Sequence, residues 1–345
     1  MRLSELDYEL PEELIAQEPL ERRDDARMLV VDRASGRFEH SRFYKLGRHL
    51  RDGDLLILND TRVFPARLLA RKESGGKVEL LMVRALEEPA GAWLALMRSH
   101  RPLKPGTRLV VDGGPMLKDG HTLTIVGYQK PGRPIVASDN SMTIDQLLAG
   151  CGLLALPHYI HRPAASADAA YYQTVFAAHT GAIAAPTAGL HFREGQFAEL
   201  EGAGIRHAFL TLHIGPGTFT PLRSAEVEAH TMEAEWYTIP APTVEAIEHA
   251  RRIGGRVIAV GTSSARALES YAITRDLEGF TGLFISPGFR FKLVGAMITN
   301  FHMPRSTVLA LVMALAGRDL ILAAYREAIR HRYHLLSYGD AMLII

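Results

Sequence analysis

Apolar runs and amphipathic segments alternate over most of this chain. Six runs have the length and composition of buried strands: 28–32, 54–58, 205–213, 256–260, 282–285 and 341–345. Apolar residues at helical spacing predict helices over 194–203, 243–253, 265–273, 306–316 and 320–331. Because strands that alternate with helices are typical of an α/β fold, we predict a mainly parallel sheet with flanking helices.

The region between residues 65 and 144 has a different pattern. Short β-type runs cover 77–84, 92–98, 108–111, 122–128 and 134–137, and Gly and Pro turns separate them without any helical periodicity. This spacing favours a small antiparallel barrel or sandwich. We therefore predict an α/β catalytic domain formed by residues 1–64 and 145–345, into which residues 65–144 are inserted as a β-barrel domain.

Composition narrows the class of protein. With 345 residues, of which 47% are hydrophobic and 22% charged, the chain can bury a core of ordinary size. Its one cysteine, Cys151, excludes an internal disulfide and a cysteine-based zinc site. The first residues do not form a signal peptide, and the longest apolar run, 308–316, is too short to span a bilayer. We expect a cytoplasmic protein with no membrane partner.

The net charge of +1 conceals a strongly basic segment. Residues 61–110 contain ten Lys and Arg against four acidic residues, which is a local net charge of +6. A second basic cluster lies at residues 326–332. Both are compatible with a phosphate-rich partner, although a solvated surface accounts for them nearly as well.

Two histidines follow apolar runs in Gly- and Pro-rich surroundings. His191 lies in APTAGLHF, where Pro186 and Gly189 disfavour a regular helix, and His213 ends the run AFLTLH before IGPGT. Ligands of α/β sheets bind beyond the carboxyl ends of strands, where such loops gather. Backbone hydrogen bonds in a turn could account for either histidine alone. Two in matching surroundings favour a functional site.

Further polar clusters also follow apolar runs. In VIAVGTSSAR a glycine and hydroxyls precede a helix, which suits a carboxylate or ribose ligand but also a plain N-cap by Thr262 or Ser264. LNDTRVFPAR places two arginines around Pro65, which suits a phosphate or carboxylate but also an Asx turn between domains. Three more segments, ITNFHMPRST, HTMEAEWY and HLLSYGDAML, add Asn300, His302, His230, Glu233, Glu235, Tyr338 and Asp340.

The histidines in these segments lack the spacing of metal ligands. Neither H-x-x-x-H nor H-E-x-x-H relates His191, His213, His230 and His302. General acid and base catalysis by imidazole and carboxylate groups fits better, because imidazole titrates near neutral pH. We therefore predict no metal site.

Together these segments resemble the S-adenosylmethionine:tRNA ribosyltransferase-isomerases of queuosine biosynthesis. The matching motifs run in family order from Asp7 to Leu343 and include DYELPEELIAQ, GDLLILNDTRVFPARL, APTAGLHF, TLHIGPGTFTPL, RVIAVGTSSARALES, TNFHMPRST and HRYHLLSYGDAML. The resemblance thus covers essentially the whole chain. One departure is Glu233, which stands where the family usually has His.

The resemblance implies a monomeric, metal-free cytoplasmic enzyme. Such enzymes use S-adenosylmethionine (AdoMet) as a co-substrate and transfer and isomerise its ribosyl moiety onto 7-aminomethyl-7-deazaguanine at the wobble position of tRNA. The product is epoxyqueuosine-tRNA, and adenine and methionine are released. Two alternatives stay open: another AdoMet-dependent tRNA modification enzyme, such as a methyltransferase, and a catalytically silent tRNA-binding protein.

The motif positions give three sets of candidate residues. The catalytic candidates are His191, His213, His302, Glu233, Glu235 and Asp340. The candidates for AdoMet binding are Thr187, Gly189, Gly215, Gly217, Thr218, Gly261, Thr262, Ser263, Asn300 and Tyr338. The candidates for tRNA binding are Asn59, Asp60, Arg62, Arg67, Lys72, Arg98 and Lys104.

Overall fold

A computed structural model describes residues 1–113, 120–139, 142–219, 222 and 226–345, apart from the side chains of residues 218 and 219. The chain forms two compact units. The first unit comprises Met1–Arg62, Pro157–Pro163 and Ala169–Ile345, and the second comprises Val63–Leu156 and Ala164–Asp168. The second unit extends beyond residue 144, where the sequence pattern placed its end, because the helix Ile144–Cys151 (α1) belongs to it.

A nine-stranded mixed sheet forms the centre of the first unit, as far as the structure describes it. Four adjacent strands of this sheet are parallel to one another. The strand pairs at both ends of the sheet are antiparallel, and the last of the four parallel strands is also antiparallel to its next neighbour. The prediction of a mainly parallel sheet is therefore not confirmed. In spatial order the strands are β15 (Glu278–Thr281), β13 (Glu235–Thr238), β12 (Arg206–Leu212), β3 (Leu55–Asn59), β14 (Val257–Val260), β16 (Ala296–Asn300), β17 (Ala341–Ile344), β1 (Arg27–Val31) and β2 (Phe38–Arg42).

Helices accompany this sheet, and local sequence fixes where they begin and end. For the most apolar one, Thr307–Ala316, the Ser306 hydroxyl accepts a hydrogen bond from the Leu309 amide, and Gly317 ends the helix at a φ of 88° that favours glycine. The helices are α2 (Asp168–Tyr171), α3 (Gln196–Gly202), α4 (Ala241–Arg252), α5 (Thr262–Thr274), α6 (Thr307–Ala316) and α7 (Arg318–Arg330). The five long segments predicted as helices are confirmed, whereas the strand predicted at 282–285 is wrong, because the paired residues are 278–281.

The second unit contains a closed antiparallel barrel, as the sequence pattern predicts. Buried and more exposed residues alternate along Lys77–Ala85, so one face of the strand fills the barrel interior. Leu68, Leu80 and Leu123 lie in the same buried cluster as Ile144 and Leu147 of α1, which explains why this helix belongs to the barrel unit. The barrel strands are β5 (Arg67–Lys72), β6 (Lys77–Ala85), β7 (Ala92–Ser99), β8 (Arg108–Val111), β9 (Thr122–Lys130) and β10 (Arg133–Ser138).

Two short strands, β4 (Thr61–Val63) and β11 (His179–Ala182), pair with each other outside these sheets. Single turns of 3-10 helix cover Leu3–Leu6, Glu12–Leu14, Arg23–Asp25, Phe43–Arg48, Thr187–His191, Pro216–Phe219 and Val227–Ala229. Among the described residues no single helix has the length and hydropathy to span a bilayer. Only α6 and α7 taken together reach those limits, and they are bent by 112°.

Candidate functional site

The four parallel strands of the first unit all end at one edge of its sheet. His213 follows β12, Asp60 and Thr61 follow β3, Thr262 follows β14, and His302 follows β16. Because the carboxyl ends of neighbouring parallel strands lie side by side, these polar groups gather at this edge.

A cavity of the first unit contains part of this edge. It offers about 140 Å³ of space for the centres of water molecules, whereas one water needs only about 10–15 Å³ on that measure, so the cavity admits a small organic molecule. Its apolar lining includes Ile214, Leu283, Ile285, Phe301, Val308 and Leu311, and its polar lining includes Thr187, Glu235, Thr262, Ser263, Arg266, Asn300 and His302.

Gly261 carries the chain from β14 into α5 at one side of the cavity. Its φ of 90° is a conformation that side chains disfavour, which explains the glycine. Gly261 itself is the N-cap, and no side chain caps the helix, so the hydroxyls of Thr262 and Ser264 are not plain N-caps. Ser263 instead accepts a hydrogen bond from the Asn59 amide at 3.1 Å, and Thr262 and Ser263 both line the cavity.

Asn300, the last residue of β16, joins the cavity to His191. Its Nδ2 donates to the Leu336 carbonyl at 3.1 Å and to His191 Nε2 at 3.2 Å. Its Oδ1 is buried and has no hydrogen-bond partner within the described part of the chain. An unpaired buried amide oxygen is costly unless a ligand or water supplies a donor. Since Asn300 lines the cavity, its amide is a candidate for contact with a ligand there.

His302 is the catalytic candidate whose imidazole lines this cavity. Its Nε2 lies 2.7 Å from the Thr299 hydroxyl, its amide donates to the Tyr325 hydroxyl, and its carbonyl accepts from Tyr8. Burial lowers the pKa of His302 to about 4, so the ring is neutral at pH 7. The two tyrosines fix the backbone of His302, and Thr299 orients its ring.

Glu235 and Arg266 form a buried ion pair on the cavity wall. One guanidinium nitrogen of Arg266 donates a hydrogen bond to Glu235 Oε2, and the other two donate to the carbonyls of Leu283 and Thr281. The second carboxylate oxygen of Glu235 accepts the Gly215 amide at 2.8 Å. Every oxygen of this carboxylate is thus occupied, so Glu235 holds the IGPGT loop against α5.

Comparison with known proteins shows which family the chain belongs to. The family model described as "Queuosine biosynthesis protein" matches residues 3–344. The chain belongs to this family. Full-length relatives named S-adenosylmethionine:tRNA ribosyltransferase-isomerase include those of Geobacter metallireducens, 47% identical, and Thermotoga maritima, 44% identical, each with 100% of both chains covered. A crystal structure of S-adenosylmethionine tRNA ribosyltransferase from Thermotoga maritima is similar with a TM-score of 0.56 and 37% identity, and covers 99% of this chain and 100% of that one.

The two other histidines that the family motifs pointed to do not line this cavity. His191 is 5% exposed and borders a smaller second cavity together with Tyr338. His213 borders neither cavity described here. Its Nδ1 lies 2.8 Å from the Thr61 hydroxyl, and its ring stacks on Trp236. Of the three candidate histidines, His302 lines the larger cavity directly and His191 is linked to it through Asn300, as far as the structure describes the chain.

Two carboxylates among the catalytic candidates, Asp340 and Glu233, have other positions. Asp340 accepts hydrogen bonds from the Arg27 amide, the Arg27 guanidinium and the His334 amide, so it braces the C-terminal segment instead of facing a cavity. Glu233 lies beside Gly217, where an added Cβ would be 3.7 Å from its own Cβ. Neither carboxylate lines either of the two cavities described above.

The remaining AdoMet candidates divide into lining and supporting residues. Thr187 lines the cavity, whereas Gly189 packs so tightly that a Cβ there would lie 2.8 Å from the Phe176 ring. Gly215 donates its amide to Glu235, and Gly217 lies in the following 3-10 turn. The side chain of Thr218 falls outside the described residues.

The tRNA candidates also differ in exposure. Asn59 is 1% exposed, and its side-chain amide is hydrogen-bonded to Leu212, Ser263 and Thr61. Both observations argue against contact with tRNA. Asp60 is 9% exposed and accepts a hydrogen bond from Thr211, and its burial raises its pKa. Arg62, Arg98 and Lys104 are exposed, and Arg67 and Lys72 are partly exposed.

Sequence reasoning missed several groups at this edge. His179 lies 3.6 Å from the Asp60 carboxylate and lowers the pKa of His213, after the larger effect of burial. A Cβ at Gly181 would lie 2.5 Å from His213 Nε2, so this glycine makes room for the ring. Arg266 ends the motif GTSSAR, but the sequence does not show that its guanidinium pairs with Glu235. No spacing in the sequence links these residues.

Proposed function

We propose that this chain transfers and isomerises the ribosyl moiety of AdoMet onto 7-aminomethyl-7-deazaguanine in tRNA, releasing adenine and methionine. AdoMet is the co-substrate and occupies the cavity of the first unit. The enzyme acts as a cytoplasmic monomer, and no metal takes part in the cavity chemistry. Family membership and the full-length relatives named for this activity support the proposal.

The observation that carries the proposal is Asn300, which lines the cavity and whose buried Oδ1 has no hydrogen-bond partner among the described residues. The exocyclic amine of adenine is a hydrogen-bond donor that such an oxygen accepts. The apolar wall around Ile285 and Leu311 suits the flat purine, and the hydroxyls of Thr262 and Ser263 suit ribose or carboxylate oxygens. The residues present therefore fit AdoMet as a ligand.

The chemistry needs a proton acceptor close to the sulfonium. The sulfonium acidifies the neighbouring ribose methylene, so removal of its proton can start the loss of adenine. His302 faces the cavity, and its pKa of about 4 keeps the ring in the proton-accepting form at pH 7. Groups of this type contribute about 10²–10⁴-fold to the rate. We assign His302 as the base because it lines the cavity and its ring is unprotonated at pH 7, although the lowered pKa makes it a weaker proton acceptor than a free imidazole.

The other candidates act around this base. His191 fixes the amide of Asn300, and Glu235 fixes the IGPGT loop, so both are positioning residues. His213, with Asp60 and His179 close by, forms a separate polar group at the same sheet edge that suits the amine of the tRNA base. The amine must lose a proton before it attacks, because amines of this kind have a pKa of about 10.

A product assay tests this function. The chain is incubated with AdoMet and tRNA that carries 7-aminomethyl-7-deazaguanine, and the anticodon nucleosides and small products are analysed by mass spectrometry. The proposal requires epoxyqueuosine together with adenine and methionine in equal amounts. S-adenosylhomocysteine would identify a methyltransferase, and tRNA binding without AdoMet consumption would identify a silent binding protein. Either result overturns the proposal.

A further inference from the structure

Three side chains of metal-ligand type converge on a surface away from both cavities. His40 projects from β2, Glu327 lies in the last turn of α7, and His331 follows that helix directly. One ligand atom of each lies within 4.8 Å of the other two. None of the three belongs to the catalytic or ligand candidates discussed above.

Both imidazoles point at the same carboxylate oxygen. His40 Nε2 lies 3.2 Å and His331 Nε2 lies 3.0 Å from Glu327 Oε1. Adjacent ligands of a tetrahedral zinc ion at about 2.0–2.1 Å are separated by roughly 3.3 Å. The two measured separations are close to that edge length, so a small shift of exposed side chains admits a cation between the three atoms.

Neighbouring groups already orient the ligands as an outer shell would. The Tyr333 hydroxyl lies 2.9 Å from His40 Nδ1. Arg330 donates to both oxygens of Glu327, at 3.0 Å to Oε1 and 2.8 Å to Oε2, and lies 3.4 Å from His331 Nε2. Its side chain is 71% exposed, so the guanidinium can move into solvent when a cation binds. A hydrogen bond such as the one between Tyr333 and His40 fixes the ring orientation of a histidine ligand at metal sites.

We propose that His40, Glu327 and His331 form a binding site for a divalent transition-metal ion, with zinc as the ion best suited to two imidazoles and one carboxylate. Three protein ligands leave a fourth position for water, as in open zinc sites. The ion would tie β2 to the end of α7, which side-chain contacts of this cluster already join. The site is structural and does not depend on the proposed transferase activity.

Metal titration of the untagged full-length chain tests this site. Zn²⁺ is added in a calorimeter, and Co²⁺ is added as a spectroscopic probe of tetrahedral coordination. One equivalent of each ion should bind to the wild type and to His100→Ala, a matched variant of an exposed histidine in the barrel unit. His40→Ala and His331→Ala should each weaken binding at least tenfold and abolish the visible cobalt absorption.

The variants are chosen so that folding does not obscure the outcome. The side chains of His40 and His331 are 39% and 45% exposed, so their removal leaves the core intact, which circular dichroism verifies. Glu327→Gln gives a second reading, because it removes the charge of the carboxylate while preserving its shape. Failure of the wild type to bind zinc, or retention of wild-type affinity by either histidine variant, overturns the proposal.

Discussion

Asn300 donates a hydrogen bond from Nδ2 to Nε2 of His191 across 3.2 Å, while its buried Oδ1 has no partner among the residues that the structure describes. The histidine therefore fixes which way the amide points. Because His191 accepts through Nε2, its remaining ring proton lies on Nδ1. His191 does not line the cavity, but through this hydrogen bond it influences which ligand the cavity binds.

We expect Asn300→Ala to weaken AdoMet binding about tenfold or more, since an unmatched buried hydrogen bond costs about 1–3 kcal/mol. Equilibrium dialysis with labelled AdoMet measures the affinity, and thermal unfolding monitors the fold. His191→Ala should produce part of the same loss, because the amide is then free to rotate. Unchanged affinity in Asn300→Ala would remove this residue from the ligand site.

The buried histidines give stability a distinct pH dependence. Burial lowers the pKa of His191 from 6.5 to about 4. Only the unfolded chain binds the proton between these values, so the stabilising effect of the neutral ring is complete above pH 6.5 and is lost as the pH falls towards 4. Between pH 7 and pH 5 this group should cost the wild type about 2 kcal/mol of unfolding free energy.

Urea unfolding at the two pH values checks this expectation. His191→Gln should show a smaller difference between pH 7 and pH 5 than the wild type, because its side chain does not titrate. The exposed His161→Gln serves as the control and should keep the wild-type difference. An identical pH dependence in His191→Gln and the wild type would contradict the prediction.

Glu235→Gln should destabilise the fold by about 3–5 kcal/mol, because it leaves the Arg266 guanidinium buried without its counter-charge. The double variant Glu235→Leu/Arg266→Met should regain much of that loss, since no unpaired charge remains. Urea unfolding of the single and double variants measures the coupling. Full stability of Glu235→Gln combined with lost turnover would instead make Glu235 a direct acid or base.

Gly181→Ala should reduce kcat/KM for ribosyl transfer by at least as much as His213→Ala, because the new methyl group would lie 2.5 Å from the imidazole and displace the ring. The matched control is Gly202→Ala in α3, where no atom lies within 4 Å of the added carbon. That variant should retain full activity. Equal activity of both alanine variants would show that the position of His213 does not matter for catalysis.

Arg98 and Lys104 are exposed on the barrel unit and are proposed to contact tRNA phosphates. Each lost phosphate contact lowers the slope of log affinity against log salt concentration by about 0.7–0.9. Arg98→Ala/Lys104→Ala should therefore flatten the salt dependence of tRNA binding by a little under two. Filter binding at several salt concentrations measures the slope, with Arg251→Ala/Arg252→Ala, two exposed residues, as a charge-matched control. An unchanged slope would place tRNA elsewhere.

The sequence predicted elements whose apolar pattern is continuous. Strands such as Leu55–Asn59 are buried throughout, and the barrel strands alternate cleanly, so both appear in the hydrophobic pattern. The short edge strands do not. Phe38–Arg42 is mostly exposed, and Glu278–Thr281 has one buried residue, so they lack the apolar signal that would predict them. Hydrophobic periodicity also carries no information on strand direction, which is why the sequence pattern did not predict that the sheet is mixed.

The candidate site was likewise predictable from the sequence only in part. Residues that follow buried strands, such as Thr262, Asn300 and His302, were predicted near the ligand because the carboxyl ends of parallel strands meet at one edge. Asp340 also carries the motif signal, yet its oxygens are occupied by Arg27 and His334. A motif records that a residue type is required, but only packing decides whether the side chain faces a ligand or the protein.

The closed barrel of the second unit has one further consequence. Each of its described strands is hydrogen-bonded on both sides, so it offers no open row of backbone donors and acceptors to an incoming polypeptide. Any partner of this unit must therefore be bound by its outward-facing side chains. Single substitutions on that surface can change what it binds while the barrel beneath keeps its fold.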